Sequence, residues 1–405
     1  MKRSILPSLA FLVPFASSAQ DCANGRYIAA DHFASTTVTS AVVFGSNTGV
    51  SGGAQTLRMD VYEPAGDVME NRPVVLVTFG GSFISGTRAD VADICIDFAK
   101  RGYVAIAPDY RVGFFLPNAA TTARAVMRGM HDMKACVRYL RKSVAEMSNP
   151  YRIDPDRIII GGVSAGAISA LHATYLDEES EIPPVLAGES ASLGGVEGNS
   201  GSPGYSSDVF ACYSFSGAID DTLFIVPGDQ PLASIHEVGD GVVPYYTQEV
   251  SVIGIPTGLT ASGSHDIHVR MDNLGLVNCF KSYPGSGHVG YLTSDYAVAM
   301  DWTALFIGQL VCGAEVTCGE STTAVVEAVS TDELIVVPNP TNGAVRFELK
   351  EQAYIRVLDI SGREVMGQRA VPGTVRMDLS ALPNGVYMLH SRSTTEQWVR
   401  VVKAD

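Results

Sequence analysis

A serine stands at the centre of residues 162–166, which read Gly-Val-Ser-Ala-Gly. The apolar run 158–160 before it has the length of a buried parallel strand, and residues 165–176 after it are predicted to be helical. A direct strand-to-helix turn strains the backbone of its central residue, and small neighbours are needed to avoid a clash. Such a turn would expose the hydroxyl of Ser164 above the positive end of the helix dipole. The context favours a nucleophilic serine over a tight structural turn.

A serine becomes a strong nucleophile only beside a base, which in turn needs an orienting group. His288 lies in a glycine-framed loop directly after the predicted strand 276–283, and we predict that it is the base. Asp240 lies in a Gly-Asp-Gly turn after the predicted strand 231–236, and we predict that it is the orienting acid. Glu237, three residues earlier, remains the alternative acid.

A glycine-rich loop, residues 79–86, follows the predicted strand 73–78. Backbone N–H groups in such a loop can point at one spot because no side chain blocks them. Two donors beside Ser164 would form an oxyanion hole. A flexible strand-to-helix turn would have a similar composition, and this second interpretation stays open.

Predicted strands and helices alternate about six times along the chain, which is typical of a parallel sheet covered by helices on both faces. Two predicted antiparallel strands, 37–44 and 57–62, precede this region. The helices on either side of the next strands are predicted at 89–102 and 121–147.

The other titratable residues are interpreted as structural. We predict that Asp109 and Arg111 form an ion pair and that Asp132 is a structural partner. Histidines inside predicted elements are expected to pack in the core, namely His131, His172 and His236. His265 and His268, one turn apart on a predicted helix, could share a metal, but no third ligand is near. We therefore interpret them as surface residues and predict no metal site.

Residues 177–208 interrupt the alternation with a segment rich in Gly, Ser, Pro and Glu. A segment of this length inside a compact domain is either a lid or disordered. Because it follows the helix after Ser164, we predict a lid that covers the substrate, with Tyr205 as a contact. Phe79 and Phe83 are the other predicted substrate contacts.

The net charge of −15 over 405 residues argues against a nucleic-acid partner. Residues 1–19 have the pattern of a secretory signal, with a basic start, an apolar stretch and a small-residue cleavage site. No later stretch reaches the roughly 18 continuous apolar residues of a membrane span. We therefore expect an exported protein without a transmembrane segment.

Seven cysteines in an exported chain predict some disulfides, and the odd count leaves at least one outside such pairs. We expect Cys279 to bond either Cys312 or Cys318, which would tie the strand before His288 to the end of the last helix. The spacings do not suggest a zinc site.

The C-terminal residues have a different pattern, with short alternating strands separated by turns such as Asn384-Gly385. The predicted strands are 344–349, 354–359, 374–378, 386–391 and 398–402. They predict a small β-sandwich of about 70 residues.

Four segments in order, 80–83, 163–167, 236–244 and 283–288, resemble the α/β-hydrolase fold in its carboxylesterase and lipase-like branch. They are similar to the oxyanion loop, the nucleophile elbow, the acid turn and the histidine loop of that family. The resemblance covers residues from about 55 to 312.

By this resemblance, the N–H groups of Gly81, Ser82 and Ala165 would form the oxyanion hole. Phe79 stands where the family usually has His, and Ser82 where it has a third Gly. Backbone donors survive both changes, whereas the side-chain hydrogen bonds of the missing His do not.

The tail resembles the C-terminal sorting domain of the type IX secretion system of Bacteroidetes-type Gram-negative bacteria. The segments 378–387 and 401–403 carry this resemblance. It implies that the secretion machinery is a partner and that the protein is extracellular or at the cell surface. A generic carbohydrate-binding sandwich is the alternative.

The expected organisation is a signal peptide 1–19, a hydrolase domain 20–318, a linker 319–331 and a sorting domain 332–405. The implied activity is a serine carboxylic-ester hydrolase that acts through an acyl-enzyme without a cofactor. The ester stays open among acetylated or feruloylated polysaccharides, simple esters and a polyester such as a plastic. A peptidase on the same fold and a non-catalytic surface adhesin are the other classes considered.

Overall fold

The computed structural model describes residue 22 and residues 24–113, 115–319, 334, 336–359, 363–392 and 396–404. The predicted signal peptide and nearly all of the predicted linker lie outside these residues. The chain divides into two compact units, residues 1–320 and 321–405, and each unit is described by itself.

The first unit contains a mixed central sheet of eight strands. The strands of the unit are β1 Thr36–Thr48, β2 Ala54–Pro64, β3 Arg72–Thr78, β4 Val104–Pro108, β5 Ile153–Val163, β6 Ala211–Phe215, β7 Ala218–Ile219, β8 Leu232–Glu237, β9 Thr247–Val252, β10 Ile255–Gly263 and β11 Asn278–Tyr283. The central sheet has the order β1-β2-β4-β3-β5-β6-β8-β11. Strands β3 to β11 of this sheet pair in parallel, and β1 and β2 are antiparallel additions. The predicted sheet, mostly parallel, is confirmed.

Helices cover both faces of this sheet. They are α1 Ala92–Lys100, α2 Ala119–Glu146, α3 Ala165–Tyr175, α4 Ser190–Leu193, α5 Ser264–Leu274, α6 Tyr291–Ser294 and α7 Tyr296–Val311. Alternate residues of β3 enter opposite cores, because successive side chains of a strand point to opposite faces. Val74 packs with residues of α2, α3 and α5, and Val75 packs with residues of α1 and α7. Continuous apolar runs such as β3 are therefore buried on both sides.

A smaller three-stranded sheet, in the order β7-β10-β9, was not predicted. Strands β9 and β10 form an antiparallel hairpin inserted between β8 and α5, and β10 also pairs with β7. Its strands alternate poorly between exposed and buried positions, so the sequence carried no clear period-two signal.

The predicted Asp109–Arg111 ion pair is wrong. Asp109 pairs with Arg88, with 2.9 Å between Oδ1 and Nη1. Arg111 instead pairs with the buried Asp132, with 2.9 Å between Nε and Oδ2. The two side chains thus contact different neighbours, and the carboxylate that Arg111 contacts comes from α2. The predicted structural role of Asp132 is confirmed.

Residues 177–208 pack against α2 through charged contacts. Arg138 Nη1 lies 2.9 Å from Glu197 Oε2, and the hydroxyl of Ser200 donates to the carboxylate of Asp132. No residue of this segment that the structure describes lines the pocket around Ser164. A lid role for the segment stays a prediction.

Two disulfides join Cys22 to Cys312 and Cys279 to Cys318. The second is one of the two expected alternatives for Cys279, and it ties β11 to the chain after α7. The other three cysteines are buried and free, namely Cys95, Cys136 and Cys212.

The described residues of the second unit form six strands with a shared apolar core. They are β12 Ala344–Leu349, β13 Ala353–Leu358, β14 Glu364–Ala370, β15 Gly373–Asp378, β16 Gly385–Arg392 and β17 Glu396–Lys403. They form a two-stranded sheet, β12-β15, and a four-stranded sheet, β14-β13-β16-β17, both antiparallel. Strand β14 was missed because it is an exposed edge strand with few buried side chains.

Candidate active site

Ser164 occupies a strained turn between β5 and α3. Its backbone has φ 56° and ψ −120°, a conformation that non-glycine residues rarely adopt. Its N–H donates to the carbonyl of Phe215 at 2.8 Å, which holds the turn. A Cβ on Gly162 or Gly166 would lie 2.3 or 2.1 Å from the Thr78 carbonyl oxygen. The two glycines are therefore required for the tight packing of the turn against β3.

His288 reaches Ser164 from the loop after β11. Its Nε2 lies 2.8 Å from Oγ of Ser164. The buried carboxylate of Glu237 contacts this loop and accepts a hydrogen bond from the N–H of Gly290 at 3.3 Å. The predicted alternative acid, Glu237, thus contacts the backbone of the histidine loop.

Asp240 lies on the far side of His288. Its Oδ2 is 2.7 Å from Nδ1 of His288, and its Oδ1 accepts hydrogen bonds from the N–H groups of Val242 and Val243 at 2.8 and 3.0 Å. Burial raises the pKa of Asp240, but hydrogen bonds from His236, His288 and Val242 outweigh it and hold that pKa well below its ordinary value. The carboxylate is therefore charged in the folded protein at neutral pH.

His236 is a residue of the site that sequence reasoning assigned to packing alone. It is fully buried, with Nε2 3.3 Å from both Oδ2 of Asp240 and the carbonyl oxygen of Val243. Its Nδ1 lies 2.9 Å from Oγ of Ser264 at the start of α5. The spacing of four residues between His236 and Asp240 was visible in the sequence, but their contact depends on the turn after β8.

The glycine-rich loop lies directly beside Ser164. A Cβ on Gly80 would be 3.2 Å from Cβ of Ser164, and Gly81 and Ser82 have φ values of 116° and 55°. Among the residues that the structure describes, the N–H groups of Ser82 and Ala165 make no hydrogen bond to the protein. They are available to an oxygen atom bound next to Ser164, as the oxyanion-hole prediction requires.

The predicted substrate contacts divide into one that lines the pocket and two that do not. Phe83 lines the pocket with Ser164. Phe79 is 2% exposed and stacks on Tyr110 with ring centroids 4.3 Å apart, so it is a core residue. Tyr205 donates to Glu146, at the end of α2. Because α2 runs back across the sheet, that end lies opposite the edge that carries Ser164.

The pocket next to Ser164 encloses a cavity of about 80 Å³ and is partly open to solvent. Its walls come from α2, α3, the loop after Asp240 and the hairpin β9-β10.

The described residues contain no group of three or more His, Cys, Asp or Glu side chains that could hold a metal ion. His268, which was interpreted as a surface residue, is instead buried and stacks on Phe280 with ring centroids 4.8 Å apart. Within the described part of the chain, no helix is both long and apolar enough to cross a membrane.

Two family models match the chain. Residues 59–208 match the family described as BD-FAE, and residues 336–403 match the Secretion system C-terminal sorting domain. Lipase 1 and Lipase 2 of Geotrichum candidum are both 29% identical to the chain, over 138 and 133 residues. Each match covers 30% of this chain and 23% of the lipase, so the chain spans about a quarter of the length of these curated relatives.

Solved structures of an esterase are also similar. The propionate-bound thermophilic esterase Est2 of the Planctomycetes species Thermogutta terrifontis is 21% identical, with 68% of this chain and 94% of that chain covered and a TM-score of 0.47. The same esterase phosphoramylated by tabun is 20% identical, with the same coverage and TM-score. The mixed sheet with helices on both faces has the arrangement of an α/β-hydrolase fold, residues 59–208 match the BD-FAE family, and residues 336–403 match the Secretion system C-terminal sorting domain.

Proposed function

We propose that this protein is an exported serine carboxylic-ester hydrolase. Ser164 is the nucleophile, His288 the base and Asp240 the acid that orients His288. The observation that carries the proposal is the hydrogen-bonded series of these three side chains, with 2.8 Å between Ser164 and His288 and 2.7 Å between His288 and Asp240. Each distance lies within the range needed for proton transfer or orientation.

In the first half of the reaction, Oγ of Ser164 attacks the carbonyl carbon of the ester, and Nε2 of His288 takes the hydroxyl proton. The charged Asp240 stabilises the resulting imidazolium and keeps Nδ1 protonated. The carbonyl oxygen becomes an oxyanion, which the N–H groups of Ser82 and Ala165 stabilise together with that of Gly81. The alcohol then leaves with the proton from His288.

In the second half, water attacks the acyl group on Ser164, and His288 again takes and returns a proton. The carboxylic acid leaves, and the serine hydroxyl is restored. The strained backbone of Ser164 places Oγ above the N-terminus of α3, where the helix dipole favours the developing negative charge.

The test uses a short-chain aryl ester and the variant Ser164→Ala. We expect turnover to fall by roughly five to six orders of magnitude, with the thermal unfolding midpoint little changed. Labelling by a fluorophosphonate should occur in the parent protein and disappear in the variant, because only an activated serine reacts. Undiminished turnover in the variant would refute the assignment, and absence of labelling in the folded parent would favour a non-catalytic adhesin.

Export through the type IX secretion machinery is part of the same proposal, and residues 336–403 support it. An extracellular location favours an externally supplied ester, including esterified polysaccharides or a polyester. Removing residues 332–405 should retain the protein inside the cell envelope, which fractionation and immunoblotting would measure. Unchanged export of the shortened chain would contradict this part.

A further inference from the structure

The pocket extends well beyond Ser164 along one face of α3. Ala165, Ile168 and His172 all line it, and their spacing of three and then four residues places them on one stripe of a helix. The rise from Ala165 to His172 is roughly 10 Å. A group that enters the pocket can therefore reach about that far from the nucleophile.

Most of the other residues that line the pocket are apolar. They include a valine of α2, one of the loop after Asp240, and four residues of β7, β9 and β10, namely Val126, Val243, Ala218, Val250, Leu259 and Ala261. A hydrocarbon chain or an aromatic ring would replace water on these surfaces with a favourable free energy. A charged group would lose hydration there without compensation.

The far end of the pocket is polar. His172 is 1% exposed and lines the pocket together with Asp220. Nδ1 of His172 donates to the carbonyl of Ile168 at 2.8 Å, while Nε2 lies 3.3 Å from Oδ1 of Asp220 and 3.4 Å from its backbone N. The imidazole is thus held at both nitrogens and fixes the position of Asp220.

The carboxylate of Asp220 retains the capacity to accept a hydrogen bond from a ligand. Its side chain is 23% exposed, and its Oδ2 has no hydrogen-bond donor among the residues that the structure describes. The reaction steps at Ser164, His288 and Asp240 require neither His172 nor Asp220. A buried histidine and an accepting carboxylate at the end of an apolar pocket are instead the features of a specificity site.

Given the proposed ester hydrolysis, we propose that the substrate carries an apolar chain or ring that ends in a hydroxyl group about 10 Å from the ester carbonyl. The hydroxyl donates a hydrogen bond to Asp220, which His172 positions. A hydroxyl fits better than an ammonium group because it is neutral and passes the apolar walls at a lower desolvation cost.

The experiment compares matched esters that differ only in a terminal hydroxyl or methyl group. One pair carries the difference in the acyl group, as the methyl esters of ω-hydroxyoctanoic and nonanoic acids. The other carries it in the alcohol, as octanediol monoacetate and nonyl acetate. We expect the parent protein to prefer the hydroxyl ester in one pair by about tenfold to a hundredfold in kcat/KM, the effect of a hydrogen bond to a charged group.

Replacing the acceptor should remove that preference. We expect Asp220→Leu to bring the kcat/KM ratio of the pair close to one and Asp220→Asn, which keeps one acceptor, to give an intermediate ratio. Circular dichroism and thermal unfolding check that both variants fold, and Asp220→Asn carries the test if the leucine variant does not. Equal kcat/KM within both pairs for the parent protein, or a preference retained in the folded variants, would overturn the proposal.

Asp221→Asn is the matched control. Asp221 is exposed, accepts a hydrogen bond from the N–H of Leu223 and does not line the pocket. Both the short-ester activity and the hydroxyl preference should equal those of the parent protein. A loss of preference in this variant would show that the effect belongs to the loop as a whole and would count against Asp220.

Binding separates this inference from the proposed hydrolysis. In a Ser164→Ala background, calorimetry should show tighter binding of the hydroxyl ester than of its methyl counterpart in one of the two pairs, by about tenfold, and loss of that difference on adding Asp220→Leu. This result without turnover in the parent protein would refute the hydrolysis and retain the pocket assignment. Turnover without any difference in binding would refute the pocket assignment alone.

Discussion

Nε2 of His236 lies 3.3 Å from Oδ2 of Asp240, the same oxygen that lies 2.7 Å from Nδ1 of His288. Two histidines therefore share one carboxylate oxygen, and only His288 also contacts Ser164. Ser264 extends the series on the other side, with Oγ 2.9 Å from Nδ1 of His236. His236 is fully buried, and its Nε2 also lies 3.3 Å from the carbonyl oxygen of Val243. We therefore expect His236 to be a positioning residue that restricts the rotation of Asp240.

Replacing His236 by Phe should lower kcat by about tenfold to a hundredfold with little change in KM, since a hydrogen bond to a charged carboxylate is lost. His236→Gln retains an N–H donor and should lose less. Steady-state kinetics on a short aryl ester measure both values. Equal kcat for His236→Phe and the parent protein would remove His236 from the site.

Asp240 and Glu237 are distinguished by matched amide variants. Asp240→Asn should lower kcat by roughly four orders of magnitude because it disturbs the tautomer of His288. Glu237→Gln should cost no more than about tenfold, because its amide oxygen can still accept the N–H of Gly290. If the two variants were reversed in their effect on kcat, Glu237 would be the acid.

The stability of the first unit should fall as the pH decreases from about 6.5 to about 4. Burial lowers the pKa of both His131 and His268 to about 4. In the unfolded chain these groups take up protons near pH 6.5. Below that pH the unfolded state therefore binds more protons than the folded state and is stabilised relative to it. Each residue should cost roughly 2 kcal/mol of unfolding free energy at pH 5.

Urea unfolding at several pH values measures this effect. His131→Gln should reduce the loss of unfolding free energy between neutral and acidic pH, since one of the two groups no longer titrates. His32→Gln is the control, because His32 is exposed, and it should leave the pH dependence unchanged. An equal pH dependence in the parent protein and His131→Gln would contradict the prediction.

The two disulfides should differ in their contribution to stability. Cys22 and Cys312 are 290 residues apart, and Cys279 and Cys318 are 39 apart. The entropy that a cross-link removes from the unfolded chain grows with the logarithm of the loop length. The disulfide between Cys22 and Cys312, which closes the longer loop, should therefore add about 2 kcal/mol more to the unfolding free energy. Urea unfolding of two variants, each with both cysteines of one disulfide replaced by Ala, tests this order. A larger loss of unfolding free energy for the Cys279–Cys318 variant would contradict the prediction.

The elements that the sequence predicted well are those with strong local signals. The apolar run of β5, the small residues around Ser164 and the glycine-framed loop of His288 each restrict the backbone through neighbouring residues. Their order also predicted that Ser164, Asp240 and His288 follow strands, and the structure brings the three within hydrogen-bond distance. Their catalytic roles stay a prediction.

The sequence alone thus determined the alternation of strands and helices, the strained turn and the types of residue available for chemistry, because these depend on neighbours along the chain. Only the tertiary structure decided that Arg111 pairs with Asp132, that His236 contacts Asp240, and that His172 and Asp220 meet at the end of a pocket. Most of these partners come from different elements. Their contacts depend on how helices and turns pack on the sheet, and local composition carries no record of that packing.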